Sequence, residues 1–194
     1  METQNSYTKE KIIEAAFALI RKKGRSALSA RNIAKELGSS TMPIYSYVNS
    51  IKELEQQLLE KARLLLKEYQ TRNYTEHVLL NLSFGYVVFA RDEKYLFRFL
   101  YQDNPNKFEM QKLDTIKNML INDFGEESEQ IKALKGIEGV GDEASVKYPW
   151  IFTHGLATMV NSEMLTVCSD ELLIKYLKDA GAAFYIWASS INGK

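Results

Sequence analysis

The chain has 194 residues, of which 45% are hydrophobic and 26% are charged, and its formal net charge is zero. These values are ordinary for a globular protein, and the length suits one large domain or a small domain joined to a larger one. No stretch approaches the roughly 18 apolar residues needed to cross a bilayer, and the amino terminus does not resemble a signal peptide, so we expect a soluble, cytoplasmic protein without a membrane partner.

The first predicted helix begins at Thr8, which can cap it, and ends at Gly24. Ile13, Ala16, Phe17 and Ile20 repeat at the spacing of one helix face. We expect this helix to support the pair that follows.

Two short helices at an angle are predicted next. Ser29 can cap the first, and Gly38 supplies a left-handed stop. After a turn of about three residues, typical of a helix-turn-helix unit, Ser40 offers a second cap and Pro43 falls in the first turn of the second helix. That helix is predicted to end near Tyr47.

The second of these helices is predicted to expose an uncharged surface, made of Thr41, Met42, Tyr45, Ser46 and Tyr47. Hydroxyl-bearing, aromatic and soft side chains suit base edges, thymine methyl groups and phosphate oxygens. The pattern therefore favours a helix that lies in the major groove of DNA.

A long helix is predicted to leave this motif. Ser50 and Glu53 fit the S-x-x-E capping box, and apolar residues with helical period continue from Leu54 to Tyr69.

Charge is unevenly distributed along the chain. Residues 1–53 hold nine basic and five acidic side chains, a net charge of +4, which leaves −4 for the remainder. A basic head on an acidic body suits attraction to phosphate. The alternative for the basic run from Arg21 to Arg25 is a solvated helix end favoured by the helix dipole.

Residues 8–60 contain four segments in a characteristic order: Ile12-Ile13-x-Ala15-Ala16 ahead of Gly24, Ser29-x-Arg31-x-Ile33-Ala34-x-x-Leu37-Gly38, Ile44-Tyr45-x-Tyr47-Val48, and Leu54. Their spacing resembles the amino-terminal domain of the tetracycline-repressor (TetR) family of transcriptional regulators. The chain departs from the family at Ile51, where a lysine that touches a phosphate is usual, and Lys52 is the candidate substitute.

The resemblance implies a repressor that binds a near-palindromic double-stranded DNA operator as a homodimer and is released by an apolar or amphipathic small-molecule effector. It also implies that Arg31 contacts a base or phosphate, against the alternative of a surface salt bridge to Glu36 or to another acid. The expected DNA-binding residues are Ser29, Arg31, Ser40, Thr41, Met42, Pro43, Tyr45, Ser46, Tyr47 and Lys52.

The rest of the chain predicts helices only. Apolar runs over 78–89, 95–101 and 108–124 give three helices, and the glycine-rich stretch 125–148 has room for at most one short helix. We expect an all-α fold of about nine helices, with a three-helix helix-turn-helix head over 1–53 and a larger ligand-binding and dimerisation body over 54–194.

Two long helices are predicted near the carboxy terminus, one opened by Tyr148 and running to Leu165, and one capped by Ser169. Their broad apolar faces suit a four-helix interface between two copies, which is also where the TetR family dimerises; Trp150-x-x-x-His154-Gly155-Leu156 resembles a pattern in one subgroup of its carboxy-terminal domains. The expected interface is Leu156, Val160, Met164, Tyr176, Ala180, Ala183, Phe184 and Trp187. The alternative is that both helices complete an intramolecular core.

A ligand cavity in the body is a further expectation, since several of its helices carry aromatic or soft side chains with polar tips. The candidates are Tyr86, Phe89, Phe97, Tyr101, Met110, Met119, Trp150, His154 and Met159. Taken singly, each is more often a plain core residue.

No catalytic or metal-binding motif is found. The chain has two histidines and one cysteine, Cys168, and no H-E-x-x-H, glycine-rich phosphate loop or G-x-S-x-G. We therefore expect no enzyme, no cofactor and no metal. The competing interpretations are a helical ligand- or partner-binding protein that no longer recognises specific DNA and, less favoured, an enzyme built around His154.

Overall fold

All regular structure in the described part of the chain is helical, so the all-α prediction is confirmed. The computed structural model describes residues 8–103, 114–135, 146–165 and 169–192. These ranges hold ten α-helices, where about nine were expected, and a short 3₁₀ turn at Arg25–Ala27. The helices are α1 (Lys9–Lys23), α2 (Ala30–Leu37), α3 (Met42–Tyr47), α4 (Ile51–Gln70), α5 (Val78–Asp92), α6 (Lys94–Tyr101), α7 (Asp114–Phe124), α8 (Glu129–Lys135), α9 (Tyr148–Asn161) and α10 (Asp170–Asn192).

Helix ends coincide with the predicted caps at several positions. The Thr8 hydroxyl accepts a hydrogen bond from the Lys11 amide at 3.3 Å, and the Gly24 amide donates to the Ile20 carbonyl at 2.8 Å. The Ser169 hydroxyl accepts from the Leu172 amide at 3.3 Å at the start of α10. These bonds satisfy amides and carbonyls that a helix end leaves free.

The helix opened by Tyr148 ends earlier than predicted, at Asn161 instead of Leu165. Glu163 adopts a left-handed φ of 62°, and the Met164 amide donates to the Met159 carbonyl at 3.0 Å. This backbone reversal closes α9 without a glycine, so no glycine signal marked the stop.

The chain divides into two compact units. Of the described residues, 8–64 and 93–103 form the first unit, and 65–92 and those from 114 onward form the second. The helix α4 begins in the first unit, and its last turns belong to the second. Within the described ranges, no helix combines the length and the apolar character needed to cross a membrane.

The first unit contains a helix that the sequence assigned to the body. The helix α6 packs on α1, with Tyr95 against Gly24 and a bidentate ion pair between Arg21 and Glu93. Phe97 and Phe99 of α6 are fully buried. The predicted boundary at residue 53 therefore separates α6 from the helix on which it packs, because a periodic pattern shows that a face is buried but not against which partner.

The core of the second unit lies around α5, which packs most extensively on α9 and also on α8 and α10. Gly85 lets α5 approach the last turn of α4 closely, since a Cβ there would lie 2.7 Å from the Cα of Gln70. Near the carboxy-terminal end of α5, the buried Asn161 side chain donates to the Ala90 carbonyl at 2.8 Å. A smaller apolar cluster joins Leu82, Leu120, Ile131 and Val146.

Candidate nucleic-acid interface

The helix α2 is closed at both ends by the residues that the sequence nominated. The Ser29 hydroxyl accepts from the Asn32 amide at 3.2 Å. At the other end, Gly38 has a left-handed φ of 64°, and the Ser39 amide donates to the Ala34 carbonyl at 2.9 Å. The left-handed glycine and this hydrogen bond end α2 and fix where the chain turns toward α3.

The helix α3 is anchored by two apolar side chains. Ile44 is fully buried and Val48 is 2% exposed, both on the inner side. In consequence, the remaining surface of α3 exposes Met42 at 77%, Tyr45 at 59% and Tyr47 at 47%. The side chains of Thr41 and Ser46 are exposed as well, as predicted.

The predicted cap at Ser40 is wrong. Thr41 occupies the position before α3 and its side chain makes no capping hydrogen bond, while the Ser40 carbonyl accepts from the Ser39 hydroxyl at 2.9 Å. The turn extends one residue further than expected, and Pro43, as predicted, lies in the first turn, where a missing amide costs nothing.

The start of α4 follows half of the predicted capping box. The Ser50 hydroxyl accepts from the Glu53 amide at 3.1 Å, whereas the Glu53 carboxylate accepts from the Asn49 side-chain amide at 2.8 Å. Ile51, at the position of the family lysine, is half-buried, and Lys52 beside it is exposed. The one cation at this helix start is thus available to solvent.

Two cations line a surface cleft at the helix-turn-helix. The cleft has a volume of about 570 Å³ and is bordered by Arg31, Asn32, Ala34, Lys35, Ser39, Ser40 and Thr41. Arg31, Lys35 and Lys52 are exposed and make no ion pair with any other residue that the structure describes. The alternative of a salt bridge between Arg31 and Glu36 is therefore absent from the described residues.

Two other arginines of the head are held by carboxylates. Arg21 pairs in bidentate fashion with Glu93, and Arg25 pairs likewise with Glu55. Glu93 and Glu55 are 5% and 9% exposed, so these pairs tie elements of the first unit together. The positive charge of Arg21 and Arg25, counted for the head from sequence, is consequently balanced locally by Glu93 and Glu55.

The residues nominated for a ligand cavity divide between the units. Phe97 and Tyr101 lie on α6 in the first unit, where their ring centroids are 5.2 Å apart. In the second unit, Phe89 is fully buried and packs edge-on against Tyr69 at 5.5 Å. Met119 is half-buried, Met159 is 39% exposed, and Met110 lies outside the described residues.

Three of the nominated side chains do meet in the second unit. The Tyr86 hydroxyl lies 2.8 Å from Nδ1 of His154, and the His154 ring stacks on Trp150 with centroids 4.9 Å apart and planes within 3°. Burial lowers the pKa of His154, which favours the neutral imidazole. This cluster offers stacked rings together with polar tips, the composition of a small-molecule site.

The residues predicted to form the dimer interface divide into buried and exposed side chains. Leu156 and Val160 are 7% and 8% exposed, so they belong to the core of their own chain and cannot face a partner. The others range from the exposed Met164, Tyr176, Ala183 and Trp187 to the half-buried Ala180 and Phe184.

An exposed aromatic surface joins α9 and α10. The Tyr148 ring contacts Trp187 edge-on at 5.4 Å and Phe184 at 6.0 Å, and Phe152 contacts Phe184 at 6.4 Å. Tyr185 and Ile186, 53% and 68% exposed, are further exposed apolar side chains of α10 that were not singled out from the sequence. The sequence carried no signal for them, because only the structure shows that Leu173, Leu177 and Ala188 form the buried side of α10.

No group of three or more histidine, cysteine, aspartate or glutamate side chains is arranged for a metal within the residues described here. Searches with the sequence found no matching family model and no matching curated protein.

Proposed function

We propose that this chain is a DNA-binding transcriptional regulator similar to the TetR family, and that α3 enters the major groove. The observation that carries the proposal is the arrangement around α3. Buried Ile44 and Val48 hold the helix so that Met42 and Tyr45 project, and the cations Arg31 and Lys52, without ion-pair partners in the described chain, accompany it. Projecting uncharged groups suit base edges, and cations suit the phosphates beside them.

A homodimer supplies the second copy of α3. The aromatic surface of α9 and α10 leaves Tyr148, Phe152 and Trp187 exposed, and exposed apolar patches often mark contacts between proteins. Pairing through it by a two-fold axis would present two recognition helices to successive major grooves, about 34–36 Å apart or a small multiple of that distance. The operator is then near-palindromic.

A small molecule bound in the second unit would regulate the dimer. Tyr86, Trp150 and His154 provide a hydrogen-bonded and stacked aromatic cluster that suits an apolar or amphipathic effector. Repression is relieved if the effector favours a conformation whose α3 spacing does not match the groove. By linkage, effector and operator weaken each other's binding by the same factor, commonly about 1–3 kcal/mol.

The test is the affinity of the full-length protein for duplexes from the DNA upstream of its own gene, measured by fluorescence anisotropy with and without competitor DNA. We expect sequence-specific binding that Tyr45→Ala reduces about tenfold or more while helicity is kept. Leu64→Ala is the matched control, because Leu64 is similarly exposed, at 55%, but lies on α4. Equal affinity of Tyr45→Ala and wild type would refute the placement of α3 in the groove.

A further inference from the structure

The exposed side of α3 lacks the side chains that read purines by paired hydrogen bonds. Arginine and lysine read guanine, and asparagine and glutamine read adenine. None of these residue types occurs between Thr41 and Tyr47. The helix must therefore obtain sequence information from other features of the groove.

The two nearest amide side chains are engaged elsewhere. Asn32 donates through its side chain to the Ala27 carbonyl at 2.9 Å, and Asn49 donates to the Glu53 carboxylate at 2.8 Å. Both bonds hold local structure, one ahead of α2 and one ahead of α4. One side-chain N–H of each asparagine is therefore committed to local structure, which orients the side chain away from a role on α3 itself.

What α3 does present is mostly apolar. Met42 projects a thioether at 77% exposure, and Tyr45 projects a ring at 59%. The Ser46 hydroxyl donates to the Met42 carbonyl at 3.2 Å, so its proton is used within the helix. The one apolar group that a base edge displays in the major groove is the C5-methyl of thymine.

The guanidinium of Arg31 belongs to a site of different character. It lines the 570 Å³ cleft with Lys35 and with the hydroxyl-bearing Ser39, Ser40 and Thr41. Two cations and several hydroxyl groups match a phosphate rather than the edge of one base. Arg31 would accordingly supply affinity without sequence preference.

We infer that α3 reads operator DNA chiefly through thymine methyl groups contacted by Met42 and Tyr45, while Arg31 and Lys35 hold the backbone. The inference rests on the proposed function and specifies its ligand: half-sites with thymine at the positions beneath α3 and no obligatory guanine there.

The experiment removes methyl groups and nothing else. Duplexes are selected from a random library with the full-length protein, and the selected site is remade with deoxyuridine in place of thymidine at one half-site position at a time. Loss of a buried methyl group should weaken binding about fourfold for one half-site and about fifteenfold for the same position in both. Replacing guanine by 7-deazaguanine, which removes the N7 acceptor, should change affinity by less than about twofold.

Variants assign the effect to residues. Met42→Ala or Tyr45→Ala should abolish the difference between thymidine and deoxyuridine at its own position, whereas Tyr45→Phe, which keeps the ring, should retain it. Arg31→Lys should keep the difference too, because the charge at the phosphate remains.

Three outcomes are distinguishable. A thymidine preference that disappears in the alanine variants supports the inference. Insensitivity to deoxyuridine combined with a large loss on 7-deazaguanine, or with relaxed specificity in Arg31→Lys, overturns it and leaves the proposed function standing. Selection of no sequence at all refutes the proposed function and the inference together.

Discussion

Replacing Gly85 by alanine should destabilise the protein, although alanine is the better helix former. A Cβ at this position would lie 2.7 Å from the Cα of Gln70 and closer still to the carbonyl oxygen of Tyr69. Both atoms are helix backbone and cannot move aside by a side-chain rotation, so α4 and α5 must separate. Overpacking of this kind costs about 3 kcal/mol or more, against a gain of about 1 kcal/mol in helix propensity.

The expected net loss is about 2–3 kcal/mol, equivalent to a fall in Tm of about 4–12 °C at this chain length. Thermal unfolding followed by circular dichroism at 222 nm measures it. Gly155→Ala is the matched control, since a Cβ at this position in α9 meets no atom within 4 Å, and it should raise Tm by about 2–4 °C. Equal stability of Gly85→Ala and wild type would refute the close approach of α5 to the last turn of α4.

Three further outcomes are expected. Lys52→Ala should weaken binding to all DNA sequences alike and flatten the plot of log affinity against log salt by about 1.8 for a dimer, as two phosphate contacts are lost; anisotropy over a salt series measures this. Ala183→Glu should raise the dimer dissociation constant about tenfold or more by placing an unpaired charge in an apolar contact, which sedimentation would detect. Because burial lowers the pKa of His154 below its ordinary 6.5 in the folded state, the folded chain binds fewer protons than the unfolded chain. The free energy of unfolding should therefore be highest above pH 6.5 and should decrease as the pH falls from there toward the folded-state value, and His154→Gln should remove this component.

Each of these has a control on the same chain. Lys135→Ala removes an equal charge from α8 and should leave the salt dependence of DNA binding unchanged. Gln56→Glu adds one negative charge at an exposed position of α4 and should leave the dimer intact. His77→Gln alters the other histidine, which is exposed, and should keep the pH dependence of unfolding. A dimer unaffected by Ala183→Glu would move the interface away from this part of α10.

Local features were predictable because their causes are local. Thr8, Ser29 and Ser50 cap helices through atoms three residues away, and Gly38 stops α2 through its own backbone. Ser40 shows the limit, because several residues of a turn can serve as a cap, and α3 begins after Thr41 instead. The exposed residues of α3 were predictable as well, because the apolar Ile44 and Val48 are buried within a turn of them.

Contacts between residues that are far apart in the sequence could not be predicted from local patterns. No residue near Arg21 in the sequence indicates that it pairs with Glu93, 72 residues later. The apolar face of α6 likewise shows that the helix is buried but not that it packs on α1. The nominated cavity residues Phe97 and Tyr86 had the same aromatic character, yet they lie in different units.

The order of the residues was sufficient to identify a chain of helices, most of their ends and the uncharged face of the third, since these depend on contacts within one or two turns. Packing settled which helices share a core, which arginines pair with a carboxylate, and which side chains of α9 and α10 remain outside. Leu156 and Tyr185 illustrate this point, because both are apolar residues on long helices and only the neighbours brought by folding bury one and expose the other.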